Sequence, residues 1–345
     1  MTHTPRPQNG DELTVYHGGD LAAARRLFPD TPDPWIDLST GINPETYPLP
    51  ALPLDIFARL PDSGQMAALE AAAARRYGAG AHAQAIALPG TQALIQLLPR
   101  LHKAKSVGIL GFTYGEYARV WQGAGPVPDV VETLDALRAH DLAMLVNPNN
   151  PDGRRARAED LFALAQHLAR KGGLLVVDEA FMDLLPAGHS LVPILPERGA
   201  LVLRSFGKTY GLPGLRLGFA LTNAALAKRL RHLLGPWAVS GPAIEIGRRA
   251  LADDSWINSM EERLKPRAAI IEQAMRRCGA EMLGGTPLFR LFAHADAATL
   301  FQRFGRAGVL LRRFPERPDW LRVGLIAAAF EERLLSIAER ISNAG

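Results

Sequence analysis

Short apolar runs alternate with amphipathic segments along the middle of this 345-residue chain. Runs that are apolar throughout are typical of strands buried on both faces, whereas apolar positions about every three to four residues are typical of helices. Strands are predicted at 85–90, 106–110, 143–147, 174–181 and 201–206. Helices are predicted before and between them, at 64–77, 91–102, 115–125 and 158–172. This alternation predicts an α/β fold whose large domain has a mainly parallel central sheet covered by helices.

The pattern changes towards both ends of the chain. After residue 240, long helices are predicted at 242–254 and 255–279, and short strands at 287–295, 308–314 and 320–326. Near the start, a polar lead-in (1–15) precedes prolines at 29–34 and 44–53, which exclude a regular helix or a central strand. We therefore predict an N-terminal arm that wraps over the body or over a partner subunit, a large domain, and a smaller α+β C-terminal domain that packs with the arm. The predicted boundaries are 1–35, 36–240 and 241–345.

The composition narrows the class of protein. The net charge is only +4, and no run of lysine and arginine is interleaved with aromatic residues, so we expect no nucleic-acid partner. No apolar run approaches the roughly 18 residues of a membrane span, and the first residues, MTHTPRPQNGDEL, lack an apolar signal region. The single cysteine, Cys278, cannot form an internal disulfide, which fits a reducing compartment. We expect a soluble cytoplasmic protein without a membrane partner.

Polar residues that could bind a ligand follow several of the predicted strands. Ligands of open α/β sheets lie beyond the carboxyl ends of the strands. Gly90, Thr91 and Gln92 form a strand-to-helix turn, where backbone N–H groups can bind an anion, but alone this is a weak signal that an ordinary turn and cap usually explains. The stretch NPNNPDG at 147–153 is rich in turn residues, and it also carries several amides that could point into a cleft.

Two residues at strand ends, Asp178 and Lys208, carry more specific chemistry. Asp178 ends a buried strand, where a carboxylate needs a cation, a metal or a protonated ring nitrogen. No His/Cys cluster suggests zinc and no G-x-x-x-x-G-K-[ST] motif suggests a magnesium nucleotide site, so we predict no metal. Lys208 could form a Schiff base with a carbonyl cofactor, whose phosphate Ser205 and Arg216 could hold. Asp178 would then keep a pyridinium nitrogen protonated, which makes the ring an electron sink.

Three segments resemble the fold-type I pyridoxal-phosphate enzymes of the class I/II aminotransferase family: SFGKTYGLPGLRLGF at 205–219, NPNNPDG at 147–153 and VVDEAF at 176–181. The resemblance implies pyridoxal 5'-phosphate as the cofactor. It implies that Lys208 binds the cofactor's aldehyde and that Asp178 contacts the pyridine nitrogen. It further implies that Asn150 contacts the phenolic oxygen and that Tyr114 stacks on the ring.

The same resemblance implies how anionic groups are held. Arg322 matches the arginine that grips the substrate's α-carboxylate. Active sites of this family are commonly built at a two-fold interface, so the resemblance also implies a homodimer. The residues implied for the cofactor's phosphate are Ser205, Arg216, Gly90, Thr91 and Gln92.

The N-terminal segments VYHGGDL (15–21) and WIDLSTGINP (35–44) resemble one branch of the family in particular. That branch removes CO2 from O-phospho-L-threonine in cobalamin biosynthesis and produces (R)-1-aminopropan-2-yl phosphate. The implied partner is therefore a small phosphorylated amino acid. We hypothesise that contacts to its phosphate turn the C–CO2⁻ bond perpendicular to the cofactor ring. The residues implied for substrate binding are Arg322, His17, Gly41, Asn150, Arg312 and Arg313.

Two other functions stay open. The segments are also similar to histidinol-phosphate aminotransferases, so transamination of histidinol phosphate or a similar phosphorylated amine is the first alternative. A non-catalytic module that senses the cofactor is the second. Four residues depart from the family pattern: Gly207 replaces a serine, Phe181 and Leu60 each replace a tyrosine, and Asp152 replaces a threonine. These departures bear on the affinity for the cofactor more than on the chemistry.

Overall fold

The computed structural model describes residues 17–31, 33–186 and 188–343, and the polar lead-in predicted at 1–15 lies outside these ranges. The strands of the described residues, in chain order, are β1 (Ile36–Asp37), β2 (Gln84–Leu88), β3 (Val107–Leu110), β4 (Asp129–Val131), β5 (Leu142–Val146), β6 (Leu174–Asp178), β7 (Ala200–Ser205), β8 (Gly218–Thr222), β9 (Glu281–Thr286), β10 (Phe289–Ala293), β11 (Val309–Leu310), β12 (Arg312–Phe314) and β13 (Arg317–Gly324). They form sheets of seven, four and two strands.

The helices of the described residues are α1 (Leu21–Leu27), α2 (Asp55–Ala58), α3 (Ser63–Arg76), α4 (Thr91–Leu101), α5 (Glu116–Arg119), α6 (Ala158–Arg170), α7 (Phe206–Thr209), α8 (Ala224–Leu234), α9 (Gly241–Leu251), α10 (Asp254–Arg277), α11 (Ala297–Arg306) and α12 (Glu331–Asn343). Short 3₁₀ turns occur at Ala136–Ala139, Val192–Ile194, Pro213–Leu215 and Ala328–Phe330. Among these helices, none is both long and apolar enough to cross a membrane.

The seven-stranded sheet has the order β2-β8-β7-β6-β5-β3-β4. Its neighbours pair in parallel except at β8, which is antiparallel to both β2 and β7. Because β8 runs backwards, its first residue, Gly218, pairs with the last residues of its neighbours, Leu88 and Ser205. The segment that leads into β8 therefore lies at the edge of the sheet where the parallel strands end.

Both faces of this sheet are buried, as the continuous apolar runs predict. On one face, Met144 and Leu203 pack in the same cluster as Leu94 of α4 and Leu230 of α8. On the other face, residues such as Val177 join a larger cluster that includes α3, α6 and α9 and extends into the C-terminal sheet. The sheet is thus a rigid platform, and its polar side chains at strand ends are held by packed backbone.

The C-terminal part of the chain forms a separate antiparallel sheet in the order β12-β13-β10-β9. The long helix α10 and the final helix α12 pack with it in the larger cluster. The N-terminal segment joins this region, because Ile36–Asp37 pairs in parallel with Val309–Leu310. A mainly parallel sheet with helices plus a smaller α+β sheet confirms the predicted fold class, while the exact domain boundaries stay predictions.

Several local predictions from the sequence were incomplete; helix α8 and strand β9, for example, were not predicted. The helix predicted at 115–125 is only one turn, Glu116–Arg119, and the chain continues as turns, with Gly123 at a positive φ of 73°. Strand β8 was not predicted, although its residues GFALT are fully buried. Its burial follows from its place between two other strands.

Candidate active site

A cavity of about 300 Å³ lies where the parallel strands of the large sheet end. Its wall combines residues that follow the strands of the seven-stranded sheet, Arg322 of the four-stranded sheet, and residues of the N-terminal segment. Neither Arg312 nor Arg313 lines it. All the other residues predicted to bind cofactor or substrate do: His17, Gly41, Gly90, Thr91, Gln92, Tyr114, Asn150, Asp178, Ser205, Lys208, Arg216 and Arg322. The structure therefore brings these side chains together, and their individual roles stay predictions.

Lys208 projects into the cavity from α7, the single helical turn that follows β7. Its Nζ donates a hydrogen bond to Ser205 Oγ at 3.3 Å and lies 5.2 Å from the centroid of the Phe181 ring. Burial lowers the pKa of Lys208; the charge of Arg322 acts in the same direction and that of Asp178 opposes it. A buried amine with a lowered pKa is a better nucleophile and base at neutral pH than an exposed lysine.

The glycine beside this lysine has a steric reason. A Cβ placed on Gly207 would lie 2.7 Å from Pro213 Cα and 3.2 Å from the carbonyl oxygen of Leu212. No side chain fits there unless that backbone moves. The family's common serine at this position is therefore replaced by glycine where the backbone of residues 212–213 passes too close for a side chain.

Asp178 ends β6 and is buried at the cavity wall. Its carboxylate accepts hydrogen bonds from the Tyr117 hydroxyl at 2.9 Å and from the backbone N–H of Ala180 at 3.0 Å. Burial raises the pKa of Asp178, whereas the Lys208 charge and these two hydrogen bonds lower it. Sequence reasoning missed Tyr117, although it lies three residues after Tyr114, a spacing that places two side chains on neighbouring positions of a helical turn.

The turn after β2 has the features of an anion site. Gly90 is the N-cap of α4 with φ 79°, and no side chain caps this helix. The first N–H groups of a helix have no intrahelical partners and carry partial positive charge. A Cβ on Gly90 would lie 3.0 Å from a guanidinium nitrogen of Arg216, so the two groups border the same small space. Arg216 itself has a left-handed backbone, with φ 50°.

Tyr114 faces the cavity next to this turn. Its hydroxyl donates a hydrogen bond to Gln92 Oε1 at 3.1 Å. Burial, assisted by the charge of Glu116, raises the pKa of Tyr114 to about 12, so its phenol stays neutral at physiological pH. Its ring centroid is 6.3 Å from that of Tyr117, with the planes nearly perpendicular.

Arg322 approaches the cavity from the antiparallel sheet. It is buried, donates to the Asn150 side-chain oxygen and to the Ser39 carbonyl (2.8 Å), and leaves its Nε without a partner. Arg312 lies directly opposite it in the β12–β13 pair, so the two side chains share one face of the sheet. Burial and the charge of Arg312 lower the pKa of Arg322 to about 9. Two cations held this way favour an anion nearby.

Arg313 points in a different direction from Arg312. It is exposed, and its guanidinium stacks 4.2 Å from the centroid of the Phe301 ring. Successive residues of a strand face opposite sides of a sheet, which explains the divergence. The charge of Arg312, on the face of the sheet that Arg322 shares, acts to lower the pKa of both Arg322 and Tyr114.

The N-terminal segment covers one side of the cavity. A Cβ on Gly18 would lie 2.4 Å from the Ser39 carbonyl oxygen, and the Gly19 N–H donates to Ser39 Oγ at 2.8 Å. This close backbone approach brings His17 to the cavity wall. Gly41 is equally constrained, because a Cβ there would lie 2.8 Å from the Phe181 ring. Within the described ranges, no group of three or more His, Cys, Asp or Glu side chains could hold a metal ion.

Comparison with known proteins identifies the family. Residues 50–341 match the family of class I and II aminotransferases. The chain belongs to this family. It is 43% identical over 330 residues to a threonine-phosphate decarboxylase from Sinorhizobium sp, covering 94% of this chain and 97% of that protein. It is 42% identical over 317 residues to a threonine-phosphate decarboxylase from Pseudomonas aeruginosa, covering 90% and 93%.

A solved structure of the family gives the same fold. The histidinol-phosphate aminotransferase from Sinorhizobium meliloti, crystallised in complex with pyridoxal-5'-phosphate, superimposes with a TM-score of 0.81. The two proteins share 20% identity, and the match covers 96% of each chain. At this identity the likeness supports the fold, and the predicted family resemblance is confirmed by the closer relatives.

Proposed function

We propose that this protein is a pyridoxal-phosphate-dependent decarboxylase that converts O-phospho-L-threonine to (R)-1-aminopropan-2-yl phosphate and CO2, a step of cobalamin biosynthesis. The observation that carries the proposal is the 43% identity to a threonine-phosphate decarboxylase, which spans nearly the full length of both chains. The cavity supports it, because its polar groups suit a phosphorylated pyridine aldehyde on one side and an anionic amino acid on the other.

The residues of the cavity fit the cofactor. When bound, pyridoxal phosphate supplies an electron-poor ring that accepts the electron pair released at the substrate's Cα. Lys208 would hold its aldehyde, and Asp178 would hold its ring nitrogen as a buried carboxylate that lacks a full set of protein partners. The uncapped N-terminus of α4, bordered by Arg216, suits its phosphate.

The substrate would be held at both of its anionic ends. Arg322 is placed to grip a carboxylate, and its free Nε provides a further donor. Arg312, on the same face of the sheet, and His17, on the N-terminal segment, are the candidates for the substrate's phosphate. Fixing both ends restricts rotation about Cα and thereby selects which of its bonds breaks.

Lys208 would also move the proton that completes the reaction. Loss of CO2 leaves an electron pair at Cα, which must receive a proton. The Nζ of Lys208 is the basic group in the cavity wall whose lowered pKa suits proton transfer near neutral pH.

The experiment that tests the function supplies purified, cofactor-loaded protein with O-phospho-L-threonine and measures CO2, with and without 2-oxoglutarate. We expect CO2 and an amino alcohol phosphate without any oxo acid. Keto acid formation that requires 2-oxoglutarate, with histidinol phosphate as the better substrate, would show an aminotransferase instead. Cofactor binding without turnover of either substrate would show a non-catalytic module.

We also propose a homodimer. An apolar surface lies around α2 and the start of α9. These two helices approach closely, since a Cβ on Gly241 would lie only 2.7 Å from the Ile56 carbonyl oxygen. A surface of this kind is typical of a protein interface. Light scattering should give a mass near twice 37.4 kDa, and a monomeric mass at assay concentration would contradict the proposal. The exposed apolar residues of this surface are Leu49, Leu54, Phe57, Leu60 and Trp237.

A further inference from the structure

A buried carboxylate, Glu116, lies behind the cavity wall and is not part of its lining. One of its oxygens accepts hydrogen bonds from the side-chain amides of Gln92 at 2.6 Å and Gln96 at 3.1 Å. The other oxygen lies 3.3 Å from Nη1 of Arg119 and 3.5 Å from Nε2 of His17. Glu116 therefore joins the start of α4, the turn of α5 and the N-terminal segment.

The bond to Gln92 has a directional consequence. An ionised carboxylate can only accept hydrogen bonds, so it requires the NH₂ end of the Gln92 amide to face it. The oxygen of the same amide then faces Tyr114, whose hydroxyl donates to it at 3.1 Å. The charge of Glu116 thus sets the orientation of the amide, and the amide sets the direction of the phenolic O–H.

We propose that Glu116 is a positioning residue that fixes the side chain of Tyr114 at the cavity by orienting the amide of Gln92. This inference rests on the proposed function and on the contact of the Tyr114 ring with the cofactor that the family resemblance implies. Neutral glutamine at position 116 could face Gln92 with either its oxygen or its NH₂ group. The amide of Gln92 would then lose its fixed orientation, and the Tyr114 hydroxyl its fixed acceptor.

A matched control exists elsewhere in the chain. Glu70 is also largely buried, accepts a hydrogen bond from the Ala87 N–H at 3.0 Å and pairs with Arg231 at 2.7 Å. Like Glu116 it accepts a hydrogen bond from an N–H group and pairs with an arginine, but neither Glu70 nor these two partners line the cavity. A loss that arises only from removing a paired, buried charge should appear in both Glu116→Gln and Glu70→Gln.

The first experiment measures the rate at which cofactor leaves the loaded protein, followed by the loss of its visible absorbance, together with the rate of CO2 release. We expect Glu116→Gln to release cofactor about tenfold faster and to turn over about tenfold more slowly. Glu116→Asp, which keeps the charge, should lose less, and Glu70→Gln should stay within about twofold of the natural protein. Equal effects of Glu116→Gln and Glu70→Gln would overturn the proposal.

The second experiment is a double-mutant cycle with Tyr114→Phe. If Glu116 acts through the Tyr114 hydroxyl, Glu116→Gln should change cofactor release by less than about twofold once that hydroxyl is absent. An undiminished tenfold effect in the Tyr114→Phe protein would overturn the proposal. If Glu116→Gln does not fold, the cycle is carried out with Glu116→Asp, whose shorter side chain draws the carboxylate away from Gln92; its smaller effect on cofactor release should likewise disappear in the Tyr114→Phe protein, and an undiminished effect would overturn the proposal. Failure of the natural protein to bind cofactor or release CO2 would instead refute the proposed function.

Discussion

Asp178 and Glu179 are neighbours at the end of β6, yet the protein surrounds them in different ways. The Glu179 carboxylate pairs with Arg204 at 2.9 Å and accepts hydrogen bonds from the Ser190 hydroxyl at 2.6 Å and the Leu191 N–H at 2.8 Å. Asp178 accepts one phenolic and one backbone hydrogen bond and otherwise faces the cavity. Burial raises the pKa of both carboxyl groups.

The difference teaches how to separate a structural charge from one that serves a ligand. Glu179 is saturated by protein groups, and its cation, Arg204, is itself held by Asp183 at 2.5 Å. Asp178 has a cation within electrostatic reach, Lys208, which the same cavity exposes to a ligand. Successive strand residues face opposite sides of the sheet, so one neighbour enters the core and the other the site.

The largest expected effects come from removing the two cations of this comparison, Lys208 near Asp178 and Arg204 beside Glu179. Lys208→Ala should abolish the visible absorbance of bound cofactor and lower CO2 release at least about a thousandfold, because it removes both the aldehyde's anchor and the proton donor. The apoprotein should remain folded, since a buried amine costs free energy. Absorbance spectra, activity and thermal unfolding check this.

Arg204→Ala provides the contrast for that experiment. It should lower the free energy of unfolding by about 3 kcal/mol or more, because two buried carboxylates lose their cation. Retained cofactor absorbance in Lys208→Ala, or an unchanged free energy of unfolding in Arg204→Ala, would contradict the division between a cation that serves the ligand and a cation that serves stability.

The next largest effect separates the two carboxylates themselves. Asp178→Asn should lower CO2 release by about a hundredfold to a thousandfold, because the ring nitrogen loses its anionic partner, while the apoprotein stays folded. Glu179→Gln should do the reverse: a loss of about 3 kcal/mol in stability with activity per folded molecule retained. Activity assays paired with urea unfolding check both variants, and similar profiles for the two would contradict the division of roles.

A smaller effect is expected at Gly90, in the turn between β2 and α4 that has the features of an anion site. Here the comparison is between two glycines that both have a positive φ but differ in their surroundings. Gly90 and Gly172 have nearly equal φ values, 79° and 78°, but a Cβ on Gly90 meets Arg216 whereas nothing lies within 4 Å of one on Gly172. Alanine at either position costs about 1 kcal/mol of backbone strain. Only Gly90→Ala should weaken cofactor binding, by about tenfold, as measured by titration of visible absorbance; equal affinities would argue against a phosphate at this turn.

The smallest effect concerns pH. Because the pKa of Asp178 is raised in the folded protein, the folded state binds its proton more readily than the unfolded state does. The favourable contribution of Asp178 is fully present below its unfolded pKa of about 4 and is lost as the pH rises through the folded pKa. At pH 7 the apoprotein of Asp178→Asn should thus be more stable than the natural apoprotein. This advantage should shrink towards pH 4 in urea unfolding, and an advantage that grew on acidification would contradict the sign.

Much of the fold could be predicted from the sequence, because its signals are local. The strand Leu142–Val146 is apolar throughout, and Leu174–Asp178 is apolar up to the aspartate that ends it, as burial on both faces requires. The reversed strand β8 could not be predicted in the same way, since an apolar run carries no record of its direction. The one-turn helix α5 depends on turns that follow it rather than on its own periodicity.

The candidate site was predicted to a similar extent. Residues at strand ends, such as Asp178 and Lys208, converge because parallel strands end at one edge. Tyr117 and Glu116 were missed because each acts through another side chain, and such second contacts are set by packing between elements. Arg312 and Arg313 point in opposite directions because successive strand residues alternate. Which of the two lies opposite Arg322 follows from the register of β12 against β13, which the sequence alone does not specify.

The reversed direction of β8 also has a mechanical consequence. The segment between the paired residues Ser205 and Gly218 is one short hairpin connection, and it carries both Lys208 and Arg216. The distance between Lys208, the proposed anchor of the cofactor's aldehyde, and Arg216, a proposed contact of its phosphate, is therefore set within a single connection rather than by how separate elements of the fold pack together.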